Sequence, residues 1–128
     1  MENNEFFISI AKEVKVTAED IDDIMCSALE GGINYWCCKA EVVGEYLGEY
    51  GSEQISRGGV LKLHDCEEDE VYELTRERLL DGIRLAVEGN YYAEYGWCDG
   101  MTLDTCNVDA SVADAIIQLA LFEDVIYG

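Results

Sequence analysis

One segment constrains the fold more than any other. From Val112 to Leu121, apolar side chains stand almost all the way round a helix: Val112, Ala113, Ile116, Ile117, Leu119, Ala120 and Leu121. A helix that is apolar on all sides is stable only when buried, so the rest of the chain has to wrap it. Ser111 and Asp114 supply a capping-box pattern for its start. With 128 residues the chain is about one domain long and buries roughly two-thirds of its unfolded surface. No internal repeat and no shift of composition divides it, so residues 1–128 read as a single domain.

The other elements follow from period and punctuation. Phe6 to Val16 alternates as a strand. Thr17 with Asp20 is a capping box, and Ile21, Ile24, Met25, Ala28 and Leu29 form the buried stripe of a helix that Gly31-Gly32 ends. Ile33–Val43 is β-branched and aromatic, hence a second strand, and the glycine-rich Gly44–Gly59 a loop. Val60–His64 and Val71–Leu74 read as a hairpin turning through Asp65–Glu70. Thr75 caps a helix with Leu79, Leu80, Ile83, Ala86 and Val87 inward and Gly89 as its stop. Asn90–Asp109 has no period and reads as irregular, and Asp124–Tyr127 as a short closing strand. This order predicts an α+β domain: an antiparallel or mixed sheet with about three helices packed mainly on one face.

Charge narrows the partners. Lys and Arg number 8 against 28 Asp and Glu, a formal charge of −20, while 49% of the residues are hydrophobic. The chain is therefore an acidic globular protein and not a disordered tail. Such a balance excludes direct nucleic-acid binding, which needs an excess of Lys and Arg, and disfavours an anionic membrane. No export signal and no long apolar run is present, so the expectation is a cytoplasmic protein with reduced thiols.

The acids are unevenly placed. Six of the nine residues from Asp65 to Glu73 are acidic, namely Asp65, Glu67, Glu68, Asp69, Glu70 and Glu73. After Arg84 no Lys or Arg occurs, while carboxylates continue, among them Asp99, Asp104 and Asp109. Duplex DNA carries one charge per ~1.7 Å of axis, or about one per ~107 Å² of a ~10 Å cylinder. A chain of 14.3 kDa exposes roughly 6,800 Å², one net charge per ~340 Å². Imitation of nucleic acid therefore requires the acids to gather on one face, or two protomers in a homodimer to combine theirs. A solvated surface that serves solubility is the plainer use of the same residues.

Dedicated chemistry is sparse. His64 and Cys66 share a strand face, but no C-x-x-C pair exists and structural-zinc spacing is missing. Neither Asp65–Glu73 nor Asp99–Asp109 matches the EF-hand calcium pattern. One histidine, no nucleophile elbow and no Gly-rich phosphate cradle argue for a non-enzyme without metal or cofactor. A second class is a ligand-binding module in which Arg57, Arg76 and Arg78 hold the phosphates of a nucleotide second messenger. In that case Tyr91, Tyr92, Tyr95 and Trp97 stack its base.

The stretches EGGINYWC (Glu30–Cys37) and ADAIIQLALFEDVIYG (Ala113–Gly128) resemble small acidic proteins of bacterial phages, prophages and mobile elements. That resemblance implies antagonism of host defence, of the anti-CRISPR or anti-restriction kind, by an acidic surface presented to a nucleic-acid-binding defence protein. The surface would be Asp65–Glu73 with Asp99, Asp104 and Asp109.

Overall fold

The computed structural model describes residues 5, 6, 8 and 12–128. In them the chain is an α+β domain with three helices, a three-stranded antiparallel sheet and a two-stranded ribbon. The helices are α1 (Ala18–Ser27), α2 (Arg76–Glu88) and α3 (Ala110–Phe122). The sheet has the order β1 (Cys37–Val42), β2 (Leu61–Asp65), β3 (Glu70–Leu74), and the ribbon pairs β4 (Cys98–Asp99) with β5 (Thr102–Leu103).

The apolar helix is where its sequence requires. Every residue of α3 from Ala115 to Ala120 is buried, and α1, α2 and β3 all pack on it. Its N-cap differs from the expected Ser111. Asp109 caps the helix by accepting the Val112 N–H at 2.9 Å, which places Ser111 inside the first turn. Asp114 is thereby released for long-range contacts. Opposite it, α2 turns Leu79, Gly82, Ile83 and Ala86 inward, while Leu80, one step round the helix, is 38% exposed.

The start of α1 matches its capping chemistry, whereas its end is not the expected glycine cap, since neither Gly31 nor Gly32 has a left-handed backbone. The Asp20 backbone N–H donates to Thr17 Oγ1 and the Thr17 N–H to Asp20 Oδ2, both at 3.0 Å, so α1 opens with a reciprocal capping box. At its other end the chain widens into a π turn over Ala28–Gly32. Gly32 is required there, because a Cβ would stand 2.7 Å from the Ala110 carbonyl oxygen.

In the sheet, Leu61 pairs with Leu74 and Leu63 with Tyr72, so one face is apolar and directed at the helices. The second strand begins at Cys37 instead of Ile33, because Ile33 and Trp36 are buried through a turn before it. Cys38 lies at a register shift between Cys37 and Lys39 and is disulfide-bonded to Cys66, just beyond β2. The expectation of reduced thiols is corrected at this pair: an irregular strand end brings two distant cysteines to a Cα separation of 6.0 Å. Cys26, Cys37, Cys98 and Cys106 are free.

The expected first strand, Phe6–Val16, lies partly outside the described residues. In its described part Phe6 and Ile8 are exposed, and Lys15 forms an isolated parallel bridge to Thr102. The expected closing strand Asp124–Tyr127 is not a strand. Its backbone N–H groups at Ile126 and Tyr127 donate to the side chain of Gln118, each at 2.8 Å, where a strand neighbour would otherwise stand. Among the described residues no helix is long and apolar enough to cross a membrane.

Candidate functional site

The site is built on a polar group inside the apolar helix. Gln118 is fully buried in α3, so its amide has to find partners within the protein. Its Nε2 donates to Asp114 Oδ1 at 2.9 Å and reaches Tyr35 Oη and the Tyr127 carbonyl, both at 3.2 Å. Asp114 in turn accepts from Trp36 Nε1 at 2.9 Å and from the Tyr35 hydroxyl at 2.6 Å. Trp36 stacks on Tyr127 with ring centroids 5.4 Å apart. The two segments Glu30–Cys37 and Ala113–Gly128, remote in sequence, thus meet in one network.

The same network reaches the acidic hairpin. The Tyr127 hydroxyl donates to Asp65 Oδ2 at 2.6 Å. Asp65 Oδ1 accepts the Glu67 and Glu68 N–H groups at 2.8 and 3.2 Å, an Asx-type turn that shapes the β2–β3 connection. Asp65 is only 2% exposed, so its expected place on a partner-binding surface is corrected: it is the internal acceptor that holds the tip. Cys66, next in sequence, is pinned by its disulfide to Cys38. Beyond these anchors Glu67, Glu68, Asp69 and Glu70 are all exposed, with Asp69 in the left-handed region at φ 54°. No ion pair or side-chain hydrogen bond engages these four carboxylates among the described residues.

Between network and tip lies an open cleft of about 1020 Å³. Tyr35, Tyr92 and Tyr127 supply aromatic walls, Asp114 and Glu67 its carboxylates, and no Lys, Arg or His lines it among the described residues. The local field is negative. Burial raises the Tyr72 phenol, and the charges of Asp65, Glu70 and Glu68 push it the same way. The Tyr127 phenol is raised by its hydrogen bond to Asp65, then by burial, and Tyr35 is pushed up to about 12 by burial and by Asp114.

These shifts set an alkaline limit. Both phenols hold their protons more tightly folded than unfolded, so their contribution to stability is complete below the ordinary value of 10.0 and declines above it. That of Tyr35 is lost as pH climbs toward about 12, and that of Tyr127, the more strongly raised, persists to still higher pH. Melting temperature should fall across that window, and the double variant Tyr35→Phe, Tyr127→Phe should fall less steeply. A parent curve flat from pH 10 to 12 would show that neither hydrogen bond contributes.

The other expected acids are placed elsewhere. Glu73 is exposed on β3 opposite Lys62. Asp99 is exposed on β4, Asp104 accepts from Asn107 Nδ2 at 3.2 Å, and Asp109 is the cap of α3. Asp22 and Asp23 of α1 accept from the hydroxyls of Ser56 and Thr105, so hydroxyl donors stand in for scarce cations.

The residues expected to hold a nucleotide are not brought together. Arg76 and Arg78 begin α2 and donate to the carbonyls of Ser56 and Glu73, while Arg57 pairs with Glu53 at 3.3 Å. Tyr91, Tyr92, Tyr95 and Trp97 follow the opposite end of that 13-residue helix. At ~1.5 Å per residue its ends are ~20 Å apart. Trp97 is buried and its Nε1 donates to the Tyr91 carbonyl at 2.8 Å, so it offers no face for stacking. His64 pairs with Glu41 at 3.1 Å, and no group of three metal-ligating side chains assembles among the described residues.

Gln118, Asp114 and Tyr127 are the site residues that pattern reasoning passes over. Their signal is a lone amide within an otherwise apolar helix, which must be satisfied by polar groups brought from elsewhere. The chain matches no protein-family model, no curated protein and no solved structure.

Proposed function

We propose that this protein is a non-enzymatic inhibitor of the phage or prophage kind, which offers an acidic, nucleic-acid-mimicking surface to a nucleic-acid-binding defence protein of its host. The observation that carries this reading is the β2–β3 tip. There, four successive exposed carboxylates stand without counter-charges on a base held by Asp65, Tyr127 and the Cys38–Cys66 bond. A tip ordered before encounter loses little conformational freedom on binding, so the attraction to Lys and Arg is kept as affinity. Its long-range field speeds association and is screened by salt, over ~10 Å at 0.1 M and ~3 Å at 1 M.

The test is to neutralise the tip as Glu67→Gln, Glu68→Gln, Asp69→Asn, Glu70→Gln. Asparagine tolerates the left-handed backbone at position 69, and substitutions at exposed positions stay within about 0.5 kcal/mol of the parent in either direction. The parent should capture, from host lysate at low salt, a nucleic-acid-binding protein that duplex DNA or high salt displaces. The variant should capture at least tenfold less of it at an unchanged melting temperature. Equal capture by parent and variant would remove the tip from the mechanism.

A further inference from the structure

The geometry points to a specific occupant for the tyrosine-walled cleft: an arginine side chain of the protein partner, seated between the Tyr35 and Tyr92 rings against the carboxylates of Asp114 and Glu67. This rests on the acidic-surface reading and adds to it a site that selects one cation over another. Three observations converge. The first is an open acceptor. A carboxylate offers about four lone-pair positions, and Asp114 fills two on Oδ1, with Trp36 and Gln118, and one on Oδ2, with Tyr35. All three donors are neutral, so they orient the charge without cancelling it.

The second is the wall. Tyr35 is 52% exposed and shares the cleft with Tyr92, which gives a cation an aromatic face to stack on. The third is continuity: Glu67 belongs both to the cleft and to the acidic tip, so a segment drawn in by the tip arrives at the cleft. A phosphate-bearing ligand has no partner here, because no cation lines the cleft among the described residues and two carboxylates do.

Arginine is favoured over lysine by geometry. Its planar guanidinium presents five N–H donors in a fork and sheds water more readily, so it can lie against a tyrosine ring while its edge pairs with a carboxylate. An ammonium is compact and strongly hydrated and gains little beyond the tip's field. At about 1020 Å³ the cleft has room for the backbone that carries the side chain as well.

The experiment titrates the intact protein with two soluble peptides of equal length and charge, one alternating Arg and Gly, the other Lys and Gly, at low salt. The arginine peptide should bind at least tenfold tighter. In Tyr35→Leu, whose ring is half exposed, and in Asp114→Asn, that preference should shrink below threefold, with melting curves confirming the fold. The tip variant Glu68→Gln, Asp69→Asn, Glu70→Gln spares Glu67 and should weaken both peptides by the same factor while keeping the preference. Equal affinity for the two peptides overturns the arginine site. If the tip variant still weakens both, the acidic-surface reading stands without it. A preference that survives both cleft variants also overturns the site, and failure of both peptides to bind overturns both readings together.

Discussion

Replacing Gln118 with leucine should destabilise the protein by about 3 kcal/mol, although leucine is apolar, similar in size and a better helix former. The reason is the number of groups one amide serves. Gln118 Oε1 accepts the N–H groups of Ile126 and Tyr127, and its Nε2 donates to Asp114, Tyr35 and the Tyr127 carbonyl. Each buried polar group stripped of its partner costs about 1–3 kcal/mol. Partial rehydration of the segment 123–128 keeps the total toward the lower end of that sum. The corresponding fall in melting temperature is about 10 °C for a domain of this size. Amide exchange supplies a local readout: Ile126 and Tyr127 should lose protection well before the interior of α3. A Gln118→Leu variant that melts with the parent would show that the network is dispensable and that α3 is held by apolar packing alone.

The second large effect is expected at Gly82, on the face of α2 that meets α3. A Cβ there would lie 2.5 Å from the Ile116 carbonyl oxygen, 2.8 Å from Ala120 Cβ and 2.9 Å from Ala120 N. Two of these atoms are helix backbone, which cannot turn aside as a side chain does. Gly82→Val should therefore force the helices apart and cost about 2–3 kcal/mol, the range of overpacked cores, despite relief of glycine's helix penalty. Gly31→Ala is the control. It also sits in helical backbone, but a Cβ there meets nothing within 4 Å, so its effect should stay within about 0.5 kcal/mol of the parent or be favourable. Denaturant midpoints with unchanged slopes measure both. Similar midpoints for the two variants would mean that α2 and α3 are not packed at their backbones.

Local elements were legible where local physics decides them. The stripes of α1 and α2 recur at three and four residues, and Thr17 and Thr75 stop the chain from entering those helices earlier by offering an oxygen to an unsatisfied N–H. Even locally, two candidates can compete. Asp109 and Ser111 are both good caps, and the choice of Asp109 moves the helix start and changes what Asp114 is used for. Period places Leu80 with the buried stripe, but it does not say how wide the covered face is, and Leu80 is 38% exposed.

The acidic turn shows the limit most clearly. Asp65 and Asp69 are four positions apart in one run of carboxylates, and nothing in the run separates their roles. Asp65 is buried because the Tyr127 hydroxyl, 62 residues away in sequence, comes to it, while Asp69 stands in water. Tyr35 and Asp114 are joined across 79 residues, and Tyr35 and Gln118 across 83.

Composition and short-range period act within a few residues, and they suffice for the acidic balance, the α+β domain, the buried third helix and the hairpin with its charged tip. Tertiary structure alone decided which carboxylate is an internal acceptor and which is presented, that the arginines and the Tyr91–Trp97 aromatics lie at opposite ends of a helix, and that a cleft opens beside the tip. The physical reason is that a polar group's role depends on the water it loses and the donors it gains, and both are set by residues distant in the chain.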